Sequence, residues 1–184
     1  MPKIKLPQFG FNSAKLKLKD SLQQLTQGGL QQIYNKIDQL SVKKGVDELG
    51  IDKFITQCAL LAAGSGAITG IGGGATMLIG VPLDMINLIT QQFRVTMAIA
   101  YHQTGKYQLR FDDFFKILAS SLKVDAGMTV SKNVMEQVAE KLLLNIGTKT
   151  AERLLPIVGA VIGGTTNYLF IKKQAEAALH PNSK

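Results

Sequence analysis

Seven glycines fall between Gly64 and Gly80, in the stretch GSGAITGIGGGATMLIG, and Gly66, Gly70 and Gly74 recur every fourth position. In a helix interior each glycine costs roughly 1 kcal/mol relative to alanine, so such a stretch stays helical only if close packing offsets the loss. Spacing of four puts the three glycines on one face and predicts a seam along which two backbones nearly touch. Such small-residue repeats join helices in lipid, and they serve tight helix pairs in soluble cores equally well. The Gly72-Gly73-Gly74 triplet can instead break the element into two shorter helices. A second apolar run, Leu154 to Ile171, repeats the theme with Gly159 and Gly163, is opened by Pro156, and carries Asn167 as an internal polar residue. The two seams can face each other.

Charge is nearly absent around the first seam. Between Lys53 and Lys106 only Asp84 and Arg94 are formally charged. From Phe54 to Leu83 no charge occurs, and a bilayer span needs roughly 20 apolar residues, so length permits insertion. Thr56, Gln57, Ser65, Thr69 and the glycines lower the hydropathy and argue the other way. Lys53 and Lys106 bracket the region as the positive-inside rule expects of a hairpin with both ends cytoplasmic.

The remaining pattern is helical, with no competing strand signal, and predicts an all-α, single compact domain of closely packed helices over 20–180. A basic arm, 1–19, precedes it and a short tail, 181–184, follows. Leu22, Leu25, Ile33, Ile37 and Leu40 mark a first helical stretch, interrupted at Gly28-Gly29. Asp47 is the expected N-cap of the next helix, which runs through Phe54 and Cys58 into the glycines. Pro82 suits the first turn of a helix from Leu83 to about Tyr101, with Asp84 where the macrodipole favours a carboxylate. Its apolar face is Met85, Leu88, Ile89, Phe93, Met97 and Ala100, while Gln91, Gln92, Arg94 and Thr96 take the other faces; Thr104-Gly105 is the stop. Asp112 or Asp113 is expected to cap a helix burying Phe114, Phe115, Leu118 and Leu122. A further amphipathic helix, Val130 to Ile146, carries Val134, Val138, Leu142 and Ile146 on its stripe.

Asp84 and Arg94 stand ten positions apart, ~15 Å along one helix, so each needs a partner from elsewhere. For Arg94 the options are a structural ion pair, a snorkelled side chain, or a bidentate contact to a lipid phosphate or carboxylate. Lys3, Lys5, Lys15, Lys17 and Lys19 make the arm either a solvated tail or an electrostatic tether, each lysine contributing ~1 kcal/mol beside an anionic leaflet. The chain's net charge of +8 and pI near 9.6 point to anionic partners. Only three arginines occur and no recognition helix appears, so nucleic acid is not the expected one.

Catalytic and cofactor signatures are missing from the sequence. Cys58 is the only cysteine, and His102 and His180 lie far apart, which leaves no zinc set. Cys58 and His102, placed in apolar helices, read as buried fillers rather than as nucleophile and base. A dinucleotide fingerprint forced onto Gly70, Gly72 and Ala75 lacks the preceding strand and the later acid. There is no phosphate-binding loop and no nucleophile elbow. No cofactor or metal is expected.

The run Gly70 to Gly105, GIGGGATMLIGVPLDMINLITQQFRVTMAIAYHQTG, resembles the core of the EcsC family. The match is carried by the glycine cluster, the Gly80, Pro82, Asp84 turn, and Arg94 ahead of Ile99-Ala100-Tyr101. Leu155 to Gly164 with Asn167 is similar to that family's C-terminal motif. The resemblance implies an all-helical bacterial protein with no catalytic residues to carry over. It departs in Tyr101-His102-Gln103-Thr104-Gly105, where the family commonly has a tyrosine-glycine pair.

The expected function is therefore that of a non-enzymatic protein associated with the cytoplasmic face of a membrane. Membrane lipid or a membrane protein is the expected partner, and a homo-oligomer is compatible with the pattern. Arg94, Asp84, Asn167 and the arm lysines are its candidate contacts. The alternative is a soluble cytosolic helical bundle binding an apolar small molecule or a protein partner.

Overall fold

The computed structural model describes residues 19–63, 81, 83–127 and 129–147, and in the C-terminal segment residues 168, 169, 171, 172, 175, 176 and 179. Lys3, Lys5, Lys15, Lys17, Gly66, Gly70, Gly74, Gly159, Gly163 and Asn167 lie outside the described residues. Every regular element among the described residues is a helix, as the hydropathy pattern predicts.

The chain is helical at residues 19–24 and then passes through a π-helical turn, Leu25–Gly29. There Gln27 and Gly28 leave helical dihedrals and Gly28 takes φ of +108°, the break expected at Gly28-Gly29. Helix α1 (Leu30–Asn35) buries Leu30, Ile33 and Tyr34. A short link then turns the chain, so Leu40 falls on a new helix and is exposed rather than buried as expected. That helix, α2 (Gln39–Leu49), starts at Asp38, whose carboxylate accepts from the Leu40 N–H at 3.0 Å and satisfies an otherwise orphan donor.

The next boundary differs from expectation. Asp47 is not an N-cap; it lies inside α2, where its carboxylate pairs with Lys43 and accepts from the Tyr101 hydroxyl at 2.7 Å. The break falls at Gly50, with φ 78° and ψ 158°, a region essentially reserved for glycine. Gly50 donates to Val46 O at 2.9 Å and accepts from Phe54 N at 3.1 Å. One residue thus closes α2 and opens α3 (Ile51–Ala63).

Helix α4 (Leu83–Thr104) is the centre of the bundle, in contact with α1, α2, α3 and α5 and most extensively with α3. It ends where predicted, at Gly105, with φ of +72° and a bond from Gly105 N to Tyr101 O of 2.7 Å. Its burial differs from the two-faced reading. Asn87, Thr90, Gln91, Gln92 and Thr96 are buried along with the apolar face. His102 also departs from expectation: it is exposed, in the last turn.

Helix α5 (Phe111–Ser121) starts one residue before the expected caps. Arg110 is the N-cap, and Asp112 and Asp113 sit in the first turn, where the macrodipole favours them. Phe114 meets Phe93 of α4 edge to face at 4.9 Å and Tyr34 of α1 at 5.0 Å, so one aromatic joint fastens three helices. The Tyr34 hydroxyl donates to Leu109 O, and the Gln39 amide brackets the Leu109 backbone, accepting from its N–H at 2.8 Å and donating to its carbonyl at 3.2 Å. Beyond α5, Lys123 takes φ of +56°, while Lys123 N bonds to Ser120 O and Val124 N to Ala119 O. The Lys141 ammonium, from α6 (Lys132–Gly147), then covers the carbonyls of Leu122 and Lys123 at 2.8 and 2.9 Å. This C-cap ties α6 to the end of α5. Val134, Val138 and Leu142 are buried as the amphipathic stripe predicts; the Ile146 side chain lies outside the described ones.

Gly45 and Gly50 are required for different physical reasons. A Cβ on Gly45 would sit 2.5 Å from the buried Phe54 ring, whereas at Gly50 there is open space and only the dihedrals forbid a side chain. Gly45→Ala should lower unfolding free energy by about 1–3 kcal/mol through overpacking, and Gly50→Ala by a similar ~1–3 kcal/mol through backbone strain. Urea denaturation of each variant in a Phe54→Leu background checks this: the alanine at 45 should cost less there, and the alanine at 50 the same.

Candidate functional site

The polar groups buried with α4 form a connected stripe. Asn87, Gln91 and Arg94 are spaced i, i+4, i+7 and so share one helix face. Asn87 Nδ2 donates to Leu61 O at 2.9 Å, Gln91 Nε2 to Asn87 Oδ1 at 3.2 Å, and the Arg94 Nη1 to Gln91 Oε1 at 3.1 Å. Leu61 belongs to the last turn of α3, whose carbonyls have no partner within the helix. Asn87 supplies one. That bond orients its own carbonyl toward Gln91, and Gln91 in turn presents its oxygen to the guanidinium. Direction is therefore uniform from Arg94 down to the end of α3, with every donor pointing the same way along the chain.

On the α3 side, the Phe54 ring lies under the guanidinium, 5.4 Å from ring centre to Cζ. Phe54 meets Arg94 while Leu61 meets Asn87, so α3 and α4 run antiparallel. Between those two contacts lies Cys58, fully buried. Burial pushes its thiol up to about 11, and the nearby positive charge of Arg94 only partly offsets this. At neutral pH the group is a thiol, not a thiolate, and a poor nucleophile.

Thr90 and Thr96 are satisfied within their own helix, donating to Ile86 O at 2.7 Å and Gln92 O at 3.0 Å. Arg94 is only partly buried. It forms no ion pair among the described residues, whose carboxylate pairs are Lys43 with Asp47 and Lys132 with Glu136. Of the sequence-predicted contacts, Asp84 is the second residue of α4, ten residues before Arg94 and ~15 Å from it along the helix axis, and its side chain lies outside the described ones. Lys19 is exposed at the start of the described chain. No group of three or more metal-ligating side chains occurs among the described residues, and no helix among them is long and apolar enough to cross a membrane.

Asn87, Gln91 and Phe54 were not singled out by sequence reasoning. The signal for the first two was the 87, 91, 94 spacing, and for Phe54 its place seven residues before Leu61. Among the described residues the groups that hold this guanidinium are neutral, and they stand on two packed antiparallel helices.

Asn87→Leu removes the donor to Leu61 O and the acceptor for Gln91, and leaves a part-buried carbonyl and a buried amide unmatched. It should lower unfolding free energy by about 2–4 kcal/mol, read from urea melts beside a Thr104→Ala control at the exposed end of α4. Cys58 predicts an alkaline effect. Its folded value, about 11, lies above the ordinary thiol value of 9.0, so between those values the unfolded chain releases the proton first. The stabilisation is fully present below about 9 and is lost as pH rises toward about 11. Melting temperature across that window should fall more steeply for the native chain than for Cys58→Ala.

Compared with family models, with curated proteins and with solved structures, the chain matches none.

Proposed function

We propose that this chain is a non-enzymatic helical protein of the EcsC type that associates with an anionic membrane surface on the cytoplasmic side. Lipid or a membrane protein is its partner, and support of a transporter or envelope process is its setting. The observation that carries this reading is the treatment of charge. The chain has a net +8, and the one cation between Lys53 and Lys106, Arg94, is held among the described residues by an amide and an aromatic ring, with no carboxylate beside it there. A guanidinium supported in that way remains available to an anion. The basic arm adds a long-range attraction that falls off within a Debye length, and the Gly80, Pro82, Asp84, Arg94 pattern supports the family resemblance.

A second reading is favoured by a separate observation. From Val95 to Ala100 every residue of α4 is buried, as are Leu88 to Phe93 before it. The chain's own residues cover this helix, which suits a soluble bundle closed around itself or around an apolar molecule. In the membrane reading the same burial makes attachment peripheral.

Flotation with phosphatidylcholine vesicles, with and without phosphatidylglycerol, separates the two. The protein should float only with the anionic vesicles at low salt and be released near 1 M salt, where screening is almost complete. Changing Lys3, Lys5, Lys15, Lys17 and Lys19 to glutamine should weaken flotation, at ~1 kcal/mol per lysine. Protein that stays in the supernatant at low salt establishes the soluble bundle instead.

A further inference from the structure

We propose that Arg94 is a receptor for one phosphate group, carried by a lipid headgroup or free in solution. The inference rests on the membrane reading for the lipid source of that phosphate, and on the geometry alone for the receptor.

Guanidinium carries five N–H donors, and Arg94 spends one on Gln91 Oε1, which leaves four without an acceptor among the described residues. It is held from two directions. The Phe54 ring stands under it, 5.4 Å from Cζ to the ring centre, and the stripe through Gln91 and Asn87 is anchored on a carbonyl at the end of α3. A side chain already held in one place loses less freedom on binding, and a guanidinium fork matches two oxygens of a phosphate at once.

Internal neutralisation is nearly excluded by the chain's own composition. Of the acidic side chains in the sequence, only Asp84 and Glu152 lie outside the described ones. Asp84 stands ten residues up the same helix, ~15 Å away by the helical rise, beyond reach. Glu152 is the single side-chain carboxylate that could compete. A phosphate monoester brings close to two negative charges and three acceptor oxygens, which suits four unspent donors better than a carboxylate does. The general excess of positive charge acts in the same direction.

The test uses the full chain and two probes, inorganic phosphate followed by titration calorimetry and phosphatidylcholine vesicles containing phosphatidate followed by flotation. The wild-type chain should bind at least one probe. Arg94→Gln should weaken that binding about tenfold or more, the loss expected for charge-assisted hydrogen bonds, and Arg94→Lys, which keeps the charge and loses the fork, by an intermediate factor. Melting temperatures of both variants are measured alongside, and the comparison is made at a temperature where each is folded. Binding of phosphate in solution without flotation supports the receptor and overturns the membrane reading. Flotation that Arg94→Gln leaves unchanged, with no phosphate bound in solution, overturns the receptor and leaves the membrane reading standing. Glu152→Gln should leave affinity unchanged; a tighter complex would show Arg94 already spent on that carboxylate and would overturn the proposal.

Discussion

The structure depends on the register between α3 and α4. Two antiparallel helices meet along a face that carries an asparagine, a glutamine and an arginine, linked one to the next by hydrogen bonds that end on the Leu61 carbonyl. A buried amide left unmatched costs about 1–3 kcal/mol, so sliding one helix by a residue would unmatch the whole stripe at once. Apolar contact alone tolerates such slips, because leucine and methionine repack. The polar stripe therefore selects one alignment, and the aromatic joint of Tyr34, Phe93 and Phe114 then sets α1 and α5 around it.

Helix positions were legible where a local signal had one meaning. Gly28 and Gly105 interrupt or end helices through positive φ, and the stripe of Val134, Val138 and Leu142 faces inward as its period requires. The boundary between α2 and α3 was not legible, because an aspartate near a helix start and an aspartate four residues after a lysine look alike in sequence. Asp47 is the second kind. Likewise Asp112 and Asp113 serve the first turn of α5 without capping it, since the dipole rewards a carboxylate at several adjacent positions.

At the candidate site, Arg94 stood out as an isolated charge, but its support did not. Periodicity sorts residues into apolar and polar faces, and α4 breaks that rule by burying both. Pairing of a glutamine with an asparagine one turn away is invisible to a hydropathy count, because each residue alone looks solvent-seeking. His102 shows the opposite error. An apolar neighbourhood in sequence suggested burial, yet the last turn of α4 carries it clear of the core.

Gly50 joins α2 to α3 with no linker at all, so a single pair of torsions sets the direction in which α3 leaves. Each residue of a helix advances the side chains by about 100° of rotation and 1.5 Å of rise. Inserting one residue at this joint would turn the face bearing Phe54, Cys58 and Leu61 through about 100°, more than a quadrant. The placement of the guanidinium far along α4 is thus inherited from the geometry of one glycine in a different part of the molecule.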